Sequence, residues 1–126
     1  MSLTNISSSK KYPCYLLEIN DVKIMLDCGL NYNNIRRFES GLWLKIPHFN
    51  TIEVSSIDAV LITNYENIVA LPFLTEMDGF RAKIYCSQPT MEFGRLLMLD
   101  MALSMDESSK TIFDFEPKYD KYLKKN

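Results

Sequence analysis

The strongest constraint on the fold is the near-continuous apolar run at 57–63 (IDAVLIT). It is too short for a helix of ordinary length and shows no polar alternation, so it reads as a strand buried on both faces. Such strands belong to sheets covered by helices, and the segments that follow supply them. Residues 71–77 (LPFLTEM) suit a short helix with Pro72 in its first turn and Gly79 placed to end it. Residues 82–86 (AKIYC) form a further strand. Residues 89–105 then carry Phe93, Leu96, Leu97 and Met101 at helical spacing. Leu99, Ala102 and Leu103 widen that stripe, which predicts burial on more than one side. Gly94, inside this helix, costs about 1 kcal/mol relative to Ala and predicts a close backbone approach there.

Upstream, 14–19 (CYLLEI) and 22–27 (VKIMLD) flank Asn20-Asp21 and predict a β-hairpin. Cys28-Gly29 breaks the second strand and leaves Asp27 at its end. Residues 30–56 read as a long excursion rich in Asn and aromatics, with one short helix around residues 36–42. The order of hairpin, excursion, strand, helix, strand, helix indicates an α/β layer architecture. Nothing in the sequence closes the sheet, so an incomplete domain is expected, with residues 1–105 forming it and 106–126 a polar, charged tail.

The chain has 126 residues, 47% hydrophobic and 24% charged, within the range of ordinary globular proteins. Fourteen basic against sixteen acidic residues give a net charge of −2, which argues against independent, sequence-specific nucleic-acid binding. The start is polar, without the apolar core of a secretory signal, and no apolar stretch reaches the length needed to cross a bilayer. Asn5-Ile6-Ser7 matches a glycosylation sequon, read here as chance. Lys10-Lys11 and Lys124-Lys125 are too short for a nuclear import signal. Cys14, Cys28 and Cys86 are odd in number and widely spaced. They suggest neither a disulfide framework nor a zinc ribbon, and they suit a reducing compartment.

Chemistry in α/β folds gathers at strand ends, and two such places stand out. One is Leu26-Asp27-Cys28-Gly29. The other is 63–72 (TNYENIVALP), after the buried strand. Together they resemble the opening of a metallo-β-lactamase fold of the β-CASP kind, an αββα sandwich. There a strand ending in L-D-C-G precedes a second strand running into T-H-x-H-x-D-H-x-G-A-L-P. In active members those histidines and the aspartate hold two zinc ions, which activate the attacking water, while the first aspartate props the metal-binding loop.

Carried over by position, the site is degenerate. Asn64 and Glu66 stand where the first two histidines belong, and the stretch from the first ligand position to Leu-Pro is two residues shorter than the active pattern. The Asp-His half has no counterpart, because Asn67 runs into Ile68-Val69-Ala70. His48, the single histidine, lies in the preceding excursion and matches no ligand position. Asp27 is left in a structural role, accepting backbone N–H bonds from the Asn64 loop. No metal or other cofactor is implied.

The shortened motif (LITNYENIVALPFLTEMDGF) and the KIYCSQPTMEFGRLLM block after it are similar to the catalytically silent β-CASP family represented by subunit 9 of the Integrator complex. The resemblance runs from about residue 12 to 105, with a variable stretch at 31–56. It implies a non-catalytic scaffold in the nucleus, with the cytoplasm as the alternative location. It also implies support of 3′-end cleavage of small nuclear RNA and nascent transcripts by a sister endonuclease. The implied partners are other Integrator subunits, chiefly the catalytic β-CASP subunit 11, and no membrane. Family members are several times longer, so the chain matches only their N-terminal part and the main pairing region would lie outside it.

Two other functions fit the residues: a silent β-CASP subunit of the cleavage and polyadenylation machinery, and a thiol enzyme using Cys28. A buried inert thiol is the alternative for Cys28, and a solvated loop residue for Glu66. Arg36, Arg37 and Lys45 read either as phosphate contacts or as a solvated face. Phe38, Trp43 and Phe49 read either as cover for the sheet or as a partner-binding patch.

Overall fold

The structure is a computed structural model and describes residues 1–34, 42–107 and 111–113. Its centre is a five-stranded mixed sheet in the order β1 (Ser2–Asn5), β2 (Tyr15–Ile19), β3 (Val22–Leu26), β6 (Ala59–Leu61), β7 (Lys83–Tyr85). The hairpin comes first: β2 (Tyr15–Ile19) runs antiparallel to β3 (Val22–Leu26), with Tyr15 opposite Leu26 and Ile19 opposite Val22. Its two-residue turn places Asn20 at φ 53, a left-handed backbone that Asn tolerates because its short polar side chain can bond locally. The buried-strand segment supplies β6 (Ala59–Leu61), parallel to β3, and β7 (Lys83–Tyr85) extends the sheet in parallel.

The far edge was not expected. β1 (Ser2–Asn5) lies in the polar start and pairs antiparallel with β2, Ser2 opposite Glu18. The excursion also holds more strand than expected. β4 (Asn31–Asn34) and β5 (Leu42–Lys45) pair antiparallel, and β8 (Thr111–Phe113) joins β5 in parallel to make a second, three-stranded sheet. Most of the helix expected around 36–42 falls outside the described residues, but Leu42 itself opens strand β5. Two single 3-10 turns, Phe49–Thr51 and Val54–Ser56, return the chain to β6.

Two helices complete the described fold. α1 (Leu71–Thr75) carries its proline in the first turn, where the missing N–H costs nothing. It ends at Thr75, short of the expected Met77, with Glu76 as its C-cap. Gly79 sits beyond it at φ 87 in the following turn. α2 (Gln88–Glu107) is the long helix.

The core gathers Met25 and Val60 from the sheet, Phe49, Val54 and Ile57 from the approach to β6, Leu71 and Leu74 from α1, and Met101 from α2. Phe49 is fully buried, so it covers the sheet and offers no patch. The face of α2 turned to the core is Thr90, Gly94, Leu97, Met98 and Met101. Phe93, Leu96, Leu99 and Leu103 are half or more exposed, which corrects the expected stripe. The helix is apolar nearly all round, so periodicity alone does not set which side packs; the Gly94 notch does. A Cβ built there would stand 2.5 Å from Ile68 Cγ2, so only glycine lets the helix seat on the 64–70 segment.

The five-stranded sheet is apolar on both faces but packed on one. Register places Leu3, Leu17, Ile24, Ala59 and Lys83 in one cross-strand row, and Asn5, Tyr15, Leu26, Leu61 and Tyr85 in another on the same face. Leu3, Leu61 and Tyr85 there are exposed, whereas Met25 and Val60 on the opposite face are fully buried. Among the described residues this is a partial α/β domain in which no layer covers the second sheet face. Among the described residues, no helix is long and apolar enough to cross a membrane.

Candidate functional site

The two strand ends singled out in the sequence meet. β3 and β6 are parallel neighbours with Leu26 opposite Leu61, so the segments that leave them emerge side by side. Asp27 turns the chain with φ 63, a left-handed conformation rare outside glycine, asparagine and aspartate. Its backbone N–H donates to the Leu61 carbonyl at 2.8 Å, continuing the ladder one residue further.

The Asp27 carboxylate is directed at Thr63. Oδ1 accepts the Thr63 backbone N–H at 2.7 Å, and the Thr63 hydroxyl lies 2.9 Å from each carboxylate oxygen, donating between them. The contact thus falls on the residue before Asn64. Thr63 opens the 63–72 stretch singled out in the sequence, but without a role of its own. The available signal was a hydroxyl residue closing a buried strand one position before a capping Asn. Further along, Cys28 N–H donates to the Asn67 carbonyl at 2.8 Å and Ala70 N–H to the Cys28 carbonyl at 3.0 Å. The two segments are stitched into one unit.

Asn64 has extended backbone geometry, φ −153 and ψ 168, and caps the 3-10 turn Tyr65–Ile68. Its Oδ1 accepts the N–H of Glu66 at 2.9 Å and of Asn67 at 3.1 Å, which satisfies donors that a helical turn leaves without internal partners. Glu66 is exposed, while Asn67, Ile68, Val69 and Ala70 are buried. Tyr65 contacts Phe93 of α2, ring centroids 5.7 Å apart, and Ile68 fills the Gly94 notch.

The residues present do not fit a pair of zinc ions. Such a centre needs imidazole or carboxylate donors free to converge. Here the Asn64 oxygen is occupied by two backbone amides, both Asp27 oxygens are occupied by Thr63, and Ile68-Val69-Ala70 fill the space with hydrocarbon. Among the described residues no three His, Cys, Asp or Glu side chains are grouped to hold a metal ion. His48 is exposed and caps the turn Phe49–Thr51, its carbonyl accepting from Thr51.

Cys28 is fully buried. Burial pushes its thiol pKa well above the ordinary value; a side-chain hydrogen bond with Cys14 and the charges of Cys14 and Asp27 act in the same direction. A thiol held protonated and out of solvent is a poor nucleophile. Arg36, Arg37 and Phe38 lie outside the described residues, as does the Trp43 side chain.

Comparison with known proteins places these features in a family. Residues 16–123 match the metallo-beta-lactamase superfamily domain. The chain is 31% identical, over 80% of its length, to an Integrator complex subunit 9 homolog from Nematostella vectensis, and 28% identical over 87% to Integrator complex subunit 9 from Gallus gallus. It is 32% identical over 73% to a probable cleavage and polyadenylation specificity factor subunit 2 from Drosophila melanogaster. It covers 22%, 23% and 11% of those proteins respectively, less than a quarter of their length. A parallel β3-β6 pair whose strand ends are tied by Asp27 and Thr63, matched along most of the chain to one domain family, makes this protein a member of the metallo-β-lactamase superfamily.

Proposed function

We infer that the chain is a β-CASP-type member of this superfamily that serves RNA 3′-end processing as a non-catalytic scaffold within a multi-subunit nuclear complex. The observation that carries this reading is Asn64. At the position where the active pattern has its first histidine, the side chain is turned into its own loop and caps it. Glu66, at the second position, points to solvent without a neighbouring donor set. Asp27 then supports a loop that is packed and apolar.

The names of the relatives favour the Integrator complex, and the resemblance of the shortened motif adds subunit 11 as the proposed cleaving partner. The direct test is zinc retention. After dialysis against zinc and then metal-free buffer, the chain is expected to keep no stoichiometric metal, and two bound equivalents would overturn the reading.

A second reading, a silent subunit of the cleavage and polyadenylation machinery, is favoured by the Drosophila relative. Affinity purification from nuclear extract separates the two: Integrator components in the eluate support the first, polyadenylation factors the second. The thiol-enzyme reading is disfavoured by the burial of Cys28. Alkylation of Cys28 faster than of Cys86 at neutral pH would restore it.

A further inference from the structure

Hairpin register brings two cysteines together in the core. Tyr15 pairs with Leu26, but beyond that pair Gly29 N–H donates to the Pro13 carbonyl at 3.0 Å. The chain advances two positions on one strand and three on the other. The extra residue is Asp27, whose left-handed φ of 63 makes the local bulge. Cys14 is therefore set across from Cys28, and the two side chains are within hydrogen-bonding reach.

Neither backbone bonds to the other. Cys14 N–H donates to Ser7 Oγ at 2.7 Å and its carbonyl accepts from Ile6 N–H at 3.0 Å. Cys28 is held by Asn67 and Ala70 as described. Cross-strand neighbours of this non-hydrogen-bonded kind have Cα atoms about 4.5 Å apart, inside the roughly 4.4–6.8 Å that a disulfide spans, and Cβ atoms about 4.5–5.5 Å apart, which close to about 3.5–4.5 Å when the bond forms. Both thiols are fully buried, and the pair is free in this structure. Cys86 is partly exposed and lies beyond β7.

We propose that Cys14 and Cys28 are a redox pair, joined by a two-electron thiol oxidant into a disulfide that staples the entry of β2 to the exit of β3 beside Asp27. With the azo compound diamide, one thiolate adds to the N=N bond and a nitrogen takes up a proton. The second thiol then displaces the hydrazide. Two S–H bonds are lost, one S–S bond forms, and diamide leaves as the hydrazine with both protons and both electrons. Each cysteine is anchored by backbone bonds to other segments, so the bond forms by side-chain rotation with a small local closure of the two strand ends. The proposal is independent of the functional reading above.

The test holds the chain with excess diamide over a range of urea below its unfolding transition, so that the buried thiols become reachable through local opening, followed by denaturation, thiol counting and peptide mapping. The expected result is a fall from three free thiols to one per chain, a Cys14–Cys28 linked peptide, and a melting temperature raised by several degrees and restored by dithiothreitol. A Cys86→Ser variant, which leaves the pair intact, should fall from two thiols to none. Retention of all thiols, a link through Cys86, or an oxidised chain that melts no higher would each overturn the proposal.

Discussion

The two faces of the central sheet are built from the same kinds of residue and meet different fates. Val60 and Leu61 are adjacent on β6, yet Val60 is fully buried while Leu61 is 38% exposed. The same alternation gives buried Met25 on β3 and exposed Tyr85 on β7. α2 repeats the contrast, with Met101 in the core and Leu96 62% exposed. Hydrophobic pattern therefore states what a face can bury, not what is there to bury it.

This contrast can be broken experimentally. Met25→Ala on the packed face should cost about 2–5 kcal/mol, the range for deleting a buried side chain where neighbours cannot collapse. A midpoint in urea unchanged from the parent would refute the packing described. Asp27→Ala should cost about 1–3 kcal/mol, because the part-buried, charge-assisted bonds from the Thr63 N–H and hydroxyl are lost; thermal denaturation reads it.

Gly94→Ala should cost about 1–3 kcal/mol from overpacking against Ile68, and an added Ile68→Ala should recover part of that loss. A Gly94→Ala chain more stable than the parent, through better helix propensity, would mean the notch is not tight. Leu61→Ala on the open face should change stability by no more than about 0.5 kcal/mol. Its larger effect should be on association. The parent chain is expected to sediment as concentration-dependent oligomers through its open face and strand edges, and Leu61→Lys should shift it toward monomer. A parent that stays monomeric at high concentration would sharpen the contrast in the other direction, showing the face to be tolerated in water.

Legibility in the sequence followed local chemistry. The hairpin was readable because two apolar runs flank Asn20-Asp21, and β6 because its run is uninterrupted. The close approach at Gly94 was readable because glycine inside an apolar helix needs a reason. β1 was not, since Ser2–Asn5 (SLTN) is polar and exposed and is a strand only because β2 offers a free edge. β4 is hidden for a related reason: Asn-rich NYNN has low intrinsic strand preference and is fixed by pairing with β5.

At the site, the meeting of the 27–29 segment with the 63–70 segment follows from two strand ends, but Thr63 as the partner of Asp27 depends on how the parallel register ends. The Cys14–Cys28 contact depends on a bulge that no propensity scale registers.

The open apolar face also has a cellular meaning. A polypeptide showing Leu3, Leu61 and Tyr85 to water displays the same signal that chaperones and proteases read in unfinished proteins. Wherever that surface stays uncovered, lifetime in a cell should be set less by folding free energy than by how fast quality control reads the patch.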